Sequence, residues 1–266
     1  MEVNTKVNLS GLILDNPVIP ASGTYGFGKE YVDFYDINIL GSISIKGTTV
    51  QRRKGNPQPR IAECYSGLIN SVGLENPGME NVIQKELKDL EMIYRKPVIA
   101  NISGFSVEEY VTLAKEMDKV DNVGIIEVNI SCPNVDHGGL AFGTNADNVR
   151  ELTKKIKEVT TKPIYMKLSP NVTDIKEIAR AAQEGGADGI SLINTLMGMR
   201  IDINRRKPVI ANKKGGFSGP AIFPVALRMV YEVYEATNLP IIGIGGISSA
   251  EDVIEMMMAG ATAVQI

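Results

Sequence analysis

The sequence has few cysteines, a single histidine, only a small excess of negative charge and no long apolar run. Its 266 residues include two cysteines and one histidine. Two thiols cannot form a disulfide framework or hold an iron–sulfur cluster, which needs four. A single histidine among scattered carboxylates argues against a catalytic metal site, so we expect none.

The balance of charge excludes another group of functions. There are 28 Lys+Arg against 31 Asp+Glu, a net charge of −3, so no general positive field attracts nucleic acid or an anionic membrane. Apolar runs such as residues 240–244 are far below membrane-spanning length, and the first residues lack the apolar stretch of a signal peptide. We expect a soluble cytoplasmic protein that binds neither nucleic acid nor membrane.

Short apolar runs alternate with stretches of helical spacing along the whole chain. Eight runs rich in Ile and Val begin near Pro17, Ser42, Pro97, Gly124, Pro163, Asp188, Pro240 and Thr262. Runs that are apolar throughout are typical of strands buried on both faces. We therefore predict an α/β fold, a (β/α)8 TIM barrel that forms one domain over residues 1–266.

Several segments depart from a simple repeat. The connections 48–96 and 195–239 are too long for plain crossovers, so we predict insertions after strands 2 and 6 that build the mouth of the barrel. Residues 7–17 indicate a small hairpin over the barrel floor or an irregular lead-in, and Ser248 to Glu251 predicts a capping box. The last run ends at Ile266, so we expect a barrel whose closing C-terminal helix is missing.

Polar residues occur where the predicted strands end. They are Lys46, Asn101, Asn129, Lys167, Asn194 and the pair Gly245-Gly246. The loops at the carboxyl ends of barrel strands converge on one mouth, where such folds build their sites. A single lysine there is more often a solvated rim residue, but several Lys and Asn residues together favour a ligand, and the lysines favour an anion.

Three further patterns indicate the ligand and its chemistry. Asn70, Asn129 and Asn194 offer paired donors and acceptors that match the edge of a pyrimidine or flavin ring. Cys132 follows a strand end, where a thiol acts as nucleophile or general base, unless it is an inert buried thiol. The glycines do not form GxGxxG, but Gly219 and Gly245-Gly246 suit a phosphate, which favours a mononucleotide over a dinucleotide.

At these residues the chain resembles the dihydroorotate dehydrogenases, flavin enzymes of pyrimidine synthesis, and within them the class 1B catalytic subunit. The resemblance runs essentially end to end. The motifs that carry it, in order, are PASGTYGFG, GNPQPRIAE, INSVGLENPG, NISCPNV, AFGTN, MKLSPNV, INTLMGMR, GGFSGPA and IGIGGI.

The resemblance implies a cofactor, a substrate and a base. FMN is expected across the mouth, in contact with Ser22, Lys46, Gly47, Asn101, Asn129, Lys167, Ile193, Gly219, Gly245 and Gly246. Dihydroorotate is expected on Lys46, Asn70, Ser71, Val72, Gly73, Leu74, Asn129, Asn194 and Thr195. Cys132 is expected to remove the C5 proton while a hydride passes from C6 to flavin N5.

The resemblance also implies partners. Class 1B enzymes pass electrons to a second subunit that carries FAD and a [2Fe–2S] cluster, and then to NAD+. The chain has neither the cysteines nor the glycine motif to house these groups itself. A homodimer within a heterotetramer is implied too. Because the family continues past the eighth strand with a segment that finishes the phosphate site, we expect weakened FMN retention.

Other functions stay open at this point. The flavin alternatives are a class 1A enzyme that uses fumarate and a dihydropyrimidine dehydrogenase-like enzyme. A different class is an aldolase or lyase in which Lys167 forms a Schiff base. A catalytically silent subunit with a flavin-like pocket is a further alternative.

Overall fold

A computed structural model describes residues 3–131 and 142–266 of the chain. The strands are β1 Val7–Leu9, β2 Leu12–Leu14, β3 Val18–Ile19, β4 Ile61–Cys64, β5 Gly67–Asn70, β6 Val98–Ile102, β7 Val123–Asn129, β8 Ile164–Lys167, β9 Gly189–Leu192, β10 Leu196–Met199, β11 Ile201–Asp202, β12 Lys207–Pro208, β13 Lys214–Ser218, β14 Ile241–Ile244 and β15 Ala263–Gln265. The helices are α1 Met79–Asn81, α2 Leu87–Glu91, α3 Val107–Asp118, α4 Ala146–Lys157, α5 Ile175–Glu184, α6 Phe223–Ala236 and α7 Ala250–Met258, with a π-helical turn Val82–Glu86 between α1 and α2.

Seven strands form one parallel sheet in the order β3-β15-β14-β9-β8-β7-β6. The second of the apolar runs supplies the missing member of the ring. Within it, Ser44 and Thr48 form parallel bridges to β6, while on the other side the Gly41 amide donates to the carbonyl oxygen of Val18 in β3 at 2.9 Å. This segment therefore joins both edges of the sheet, and the predicted barrel is confirmed.

The strands are apolar throughout because both of their faces are buried. On β7, Ile125 faces the barrel interior and packs with the N-terminal hairpin residues. Its neighbours Ile126 and Val128 face outward and pack with residues of the surrounding helices, such as Leu152 of α4. Successive side chains thus point to opposite faces of the strand, but the sequence does not show this alternation because both faces are apolar.

The N-terminal residues cover the floor of the barrel as a hairpin. β1 and β2 pair antiparallel, and Leu9 and Leu14 are fully or almost fully buried against the interior strand residues. Between the two strands, Ser10 Oγ lies 3.0 Å from the Tyr165 hydroxyl and donates to the Asp188 carbonyl at 2.7 Å. The hairpin interpretation of residues 7–17 is therefore the correct one.

Polar side chains cap the N-terminal ends of the outer helices. Ser106, Asn145 and Asp174 accept hydrogen bonds from amides in the first turns of α3, α4 and α5. The capping box of α7 was predicted one residue too early: it joins Ser249 and Asp252. The helix starts later because Asp252, rather than the glutamate before it, accepts the free amides of both preceding serines.

The two long connections meet in a second sheet. β4 and β5 come from the connection after the second barrel run, and β10 and β13 follow β9. They form an antiparallel sheet in the order β10-β13-β5-β4, in which Gly216 lies opposite Asn70. In the described part of the chain, no helix combines the length and apolar character needed to cross a bilayer.

Candidate active site

The polar residues of the predicted rim lie at the carboxyl ends of the parallel strands. Asn129 and Lys167 are the last residues of β7 and β8 and lie side by side in the register of the sheet. Asn101 is the second-last residue of β6, and Asn194 follows β9 by two positions. Because the strands are parallel, these residues lie at the same end of the barrel.

A fully buried carboxylate lies at the centre of this group. Glu127 Oε1 accepts hydrogen bonds from Asn101 Nδ2 at 2.6 Å and from Lys167 Nζ at 3.4 Å, and its Oε2 accepts from Gln265 Nε2 at 2.8 Å. Glu127 is 0% exposed and Lys167 is 6% exposed. We call Asn101, Glu127, Lys167 and Gln265 the polar layer.

The polar layer spans the interior of the barrel. Glu127 is on β7 and Gln265 is on β15, and β14, β9 and β8 separate these strands in the sheet. Their side chains therefore meet across the barrel axis rather than along the sheet. Two residues earlier on the same strands, Ile125 and Ala263 belong to the apolar cluster with the N-terminal hairpin. The polar layer thus lies between that cluster and the mouth.

The charges within the layer compensate each other. Burial would raise the pKa of the Glu127 carboxyl, but the Lys167 ammonium, together with the amides of Asn101 and Gln265, holds that pKa below its usual value. Lys167 Nζ makes only long contacts, 3.4 Å to Glu127 and 3.5 Å to Gln265 Oε1, against about 2.8 Å for a strong charge-assisted bond. Its three donors are therefore not saturated by the described residues.

A series of contacts leads from Asn129, which lies beside Lys167 in the sheet, to the second sheet. Asn194 Nδ2 donates to Asn129 Oδ1 at 3.1 Å, and Asn194 Oδ1 accepts from the Thr195 amide at 2.7 Å. A Cβ added to Gly216 would lie 1.9 Å from Thr195 Oγ1, and Asn70 Nδ2 donates to the Gly216 carbonyl at 3.5 Å. The structure thus pairs Asn129 with Asn194 and connects Asn70 to them only through Gly216 and Thr195.

Lys46 lies beside a cavity of about 570 Å³. The cavity is lined by Gly26, Phe27, Lys46, Arg52, Arg53, Lys54, Glu75, Asn76, Pro77 and Asn81. Burial lowers the pKa of the Lys46 ammonium and Arg60 lowers it further, while Glu75 opposes the shift. No described residue forms an ion pair with Lys46, so its charge suits an anionic ligand.

Gly47 separates Lys46 from the polar layer. A Cβ at Gly47 would lie 2.9 Å from Asn101 Oδ1, 3.7 Å from Leu74 Cδ2 and 3.8 Å from Ser103 Oγ. Among the described residues, Asn101 Oδ1 and Ser103 Oγ are buried without a hydrogen-bond partner, as is Ser71 Oγ. Unpartnered buried polar atoms are rare in folded proteins, and here two of them border one glycine, which indicates a place for a polar ligand.

A glycine cradle lies at the start of α6. A Cβ on Gly246 would lie 2.5 Å from the Phe223 amide nitrogen and 2.8 Å from the Gly219 carbonyl oxygen. A Cβ on Gly245 would lie 3.4 Å from Ile193 Cγ1. Both glycines have positive φ, +125° at Gly245 and +73° at Gly246. The cradle therefore packs directly against the N-terminal end of a long helix, and such helix ends favour anions.

The remaining predicted residues lie around these groups. Ser22 is buried in the loop after β3, and the segment Ser71 to Gly73 after β5 is held by the insertion loop, for example by the Asn56 amide on the Val72 carbonyl at 2.9 Å. Within residues 3–131 and 142–266, no hydrogen bond joins them to the polar layer. Cys132 lies outside the described residues.

Two residues of the polar layer were not predicted from the sequence. From the sequence, Glu127 and Gln265 are only members of apolar strand runs. A signal was present, since Glu127 is the lone charge in GIIEVNIS and Gln265 the lone amide in TAVQI, and a buried charge or amide needs a partner. Among the described residues, no group of His, Cys, Asp and Glu is arranged to hold a metal.

A closed ring of parallel strands with its polar groups at the carboxyl ends is the arrangement of the (β/α)8-barrel enzymes. Sequence comparison then identifies the family. The family model described as dihydroorotate dehydrogenase matches residues 4–266. The chain therefore belongs to the dihydroorotate dehydrogenase family and is an oxidoreductase.

Curated relatives are similar over nearly the whole chain. A protein of Bacillus cytotoxicus (strain DSM 22905 / CIP 110041 / 391-98 / NVH 391-98) is 58% identical over 261 residues, which is 98% of this chain and 84% of the relative. Proteins of Bacillus cereus (strain AH187) and Bacillus anthracis (strain A0248) are 57% identical over the same shares. All three are named dihydroorotate dehydrogenase B (NAD(+)), catalytic subunit.

Proposed function

We propose that this chain oxidises (S)-dihydroorotate to orotate in pyrimidine biosynthesis, with FMN bound at the mouth of the barrel. The observation that carries the proposal is the polar layer beneath the side-chain amides of Asn129, Asn194 and Asn70. It combines a buried ammonium that retains donor capacity with amides that match a cyclic imide. Membership of the family and the names of the relatives support the same substrate.

The described residues fit FMN in two respects. Gly246 packs against the first residue of α6, and the N-terminal end of a helix favours a phosphate, while Asn101 Oδ1 is an orphaned buried acceptor beside Gly47. The residues proposed to hold FMN are Ser22, Lys46, Gly47, Asn101, Asn129, Lys167, Ile193, Gly219, Gly245 and Gly246. When bound, FMN would supply the acceptor for the hydride that leaves C6 of the substrate.

The proposed roles of the charged and amide residues follow from their chemistry. Lys46, half-buried and without an ion-pair partner among the described residues, would neutralise the substrate carboxylate. Lys167 would stabilise negative charge that develops on the cofactor ring. The ring of dihydroorotate would be held by Asn70, Ser71, Val72, Gly73, Leu74, Asn129, Asn194 and Thr195.

Cys132 is proposed as the base that takes the C5 proton. Support comes from the sequence, because this thiol follows Asn129 by three positions in NISCPNV. A thiol near ammonium groups is partly ionised at neutral pH, whereas a serine in its place would need a separate base.

The acceptor of the electrons is also proposed. The relatives are named as NAD(+)-type catalytic subunits, which supports a partner subunit that carries FAD and a [2Fe–2S] cluster and reduces NAD+. A homodimer of this chain within a heterotetramer, in the cytoplasm, completes the proposal.

The Schiff-base alternative is not favoured by the geometry. Lys167 is paired with the buried carboxylate of Glu127, and its nitrogen would have to leave this ion pair to react with a carbonyl group. Protein that is colourless and forms a borohydride-trapped adduct with a carbonyl substrate would support that alternative.

The test of the proposed function is a set of visible spectra recorded under anaerobic conditions. We expect yellow protein whose flavin bands bleach with dihydroorotate but not with dihydrouracil, which lacks the carboxylate. The bands should return with NAD+ only when the partner subunit is added, and not with fumarate alone. Bleaching by dihydrouracil would indicate a dihydropyrimidine dehydrogenase-like enzyme, recovery with fumarate a class 1A enzyme, and flavin that dihydroorotate leaves oxidised would contradict the proposal.

A further inference from the structure

We propose that Glu127 is a positioning residue that holds the Lys167 ammonium in place and limits the positive charge that this lysine offers to bound FMN, so that Glu127 sets the reduction potential of the flavin. The inference rests on the proposed function, because it requires FMN beside Lys167.

The contacts of Glu127 fix its carboxylate at both oxygens. Asn101 Nδ2 and Lys167 Nζ converge on Oε1, and Gln265 Nε2 donates to Oε2. These partners come from β6, β8 and β15, on both sides of the barrel interior. Ser44 Oγ, in the segment that bridges to β6, also donates to Oε1 at 3.4 Å, so the carboxylate is held by several members of the ring at once.

The charge of this pair matters because the site is dry. Glu127 is 0% exposed and Lys167 is 6% exposed, so water screens their fields weakly. In the proposed reaction the C6–H bond breaks and its hydride, two electrons and one proton, bonds to flavin N5. The C5 proton goes to the base and a C5=C6 double bond forms. A bound flavin would gain one negative charge in this step, which Lys167 would stabilise and Glu127 would destabilise.

Packing alone does not account for the pair. A buried ion pair is often no more stabilising than apolar residues of the same size, and the neighbouring interior layer is filled by residues such as Ile125 and Ala263. The Lys167 to Glu127 contact of 3.4 Å is also longer than a pair optimised for mutual attraction. The pair is therefore explained by the charge that it places next to the mouth of the barrel.

The test is a double-mutant cycle read by redox potential. Wild-type protein, Glu127→Gln, Lys167→Gln and the double variant are reconstituted with FMN, and the midpoint potential of each is measured against reference dyes. We expect Glu127→Gln to shift the flavin equilibrium about tenfold toward the reduced form, which is about 30 mV upward for a two-electron couple. Lys167→Gln should shift it in the opposite direction.

The matched control is Glu232→Gln on α6, where the glutamate pairs with Arg228 on the outside of the barrel and the potential should not change. If Glu127→Gln does not fold, the comparison of Lys167→Gln with the double variant measures the removal of the same charge and should again shift the potential upward. The inference would be overturned if the flavin reduction equilibrium changed less than twofold in the comparison that is measured. That comparison is wild type with Glu127→Gln or, failing that, Lys167→Gln with the double variant.

Failure of the inference is distinguishable from failure of the proposed function. Protein that binds no FMN, or whose flavin dihydroorotate does not bleach, contradicts the function. Wild-type flavin that bleaches normally while its potential ignores the charge at position 127 contradicts the inference alone.

Discussion

The two layers inside the barrel use the same strands for opposite purposes. Towards the floor, Ile99 and Ile125 pack with the N-terminal hairpin in an apolar cluster. Two positions further along the same strands, Asn101 and Glu127 form the polar layer. Because alternate residues of a strand face the same side, only two positions along each strand separate the stabilising residues from those proposed for chemistry. The comparison implies that substitutions in the lower layer change stability and leave the reaction intact, whereas those in the upper layer and mouth also change the reaction.

The largest effect is expected at the mouth. Cys132→Ser should slow flavin reduction by dihydroorotate about 10²–10⁴-fold, because it removes the proposed base, while FMN stays bound. Anaerobic stopped-flow absorbance at the flavin band measures the rate, and the protein-bound flavin spectrum is the control. An unchanged rate would remove this thiol from the mechanism and leave the mouth without its proposed base.

The next largest effect is expected in the lower layer. Ile125 is 0% exposed, so Ile125→Ala should lower the free energy of unfolding by about 2–5 kcal/mol through lost burial and a cavity. The rate of flavin reduction in the folded variant should stay within about twofold of wild type. Ile254→Ala on α7, where the side chain is 58% exposed, is the matched control and should change stability by less than about 0.5 kcal/mol.

Urea denaturation measures the free energy of unfolding, and a separate assay of the folded proteins measures the rate of flavin reduction. A lower-layer variant that stays fully stable but loses activity would break the division between the layers.

A smaller effect, dependent on pH, is expected within the polar layer. The pKa of Glu127 is held below its usual value by Lys167 and the amides, against the effect of burial. Its charged form therefore stabilises the fold above the unfolded-state pKa of about 4.3, and this contribution is lost as the pH falls through the lower folded-state pKa.

The difference in unfolding free energy between wild type and Glu127→Gln should accordingly be largest at neutral pH and become smaller in acid. Urea titrations of the FMN-free proteins from about pH 7 to pH 3 measure it. A difference that grows in acid would mean that the carboxylate is not stabilised by its neighbours.

The smallest effect is expected at the rim. Burial lowers the pKa of the Lys46 ammonium, so its charge is lost at a less alkaline pH than that of an ordinary lysine. The KM for dihydroorotate should rise a few-fold as the pH passes through this value, while Lys46→Arg, which stays charged, should show a flatter alkaline limb. Identical KM profiles in the two proteins would argue against Lys46 as the partner of the substrate carboxylate.

Much of the fold could be predicted because it depends on local patterns. The eight apolar runs mark the barrel members, including the run that begins at Ser42, where Ser44 and Thr48 form bridges rather than a regular strand. The rim residues follow from their position at strand ends. The start of α7 was misplaced by one residue, because Ser248 and Ser249 both suit a cap and only the contacts of Asp252 decide between them.

The polar layer could not be predicted in the same way. Glu127 and Gln265 are 138 positions apart in the chain, and their contact exists only once the ring has closed. From the sequence, the buried glutamate of β7 is a single exception in an apolar run with no indication of its partner. The meeting of Asn70 with Gly216 depends likewise on the pairing of two insertions. Position along a strand is local information, whereas contact across the barrel is not.

The distance in sequence between Glu127 and Gln265 also has a consequence for biosynthesis. A nascent chain that has emerged from the ribosome only as far as β14 has the acidic side chain but lacks the amide that donates to its second oxygen. Contacts between distant positions form late and slowly. The polar layer is therefore complete only after Gln265 has emerged, so a shorter nascent chain lacks part of the arrangement proposed to lie beside the flavin.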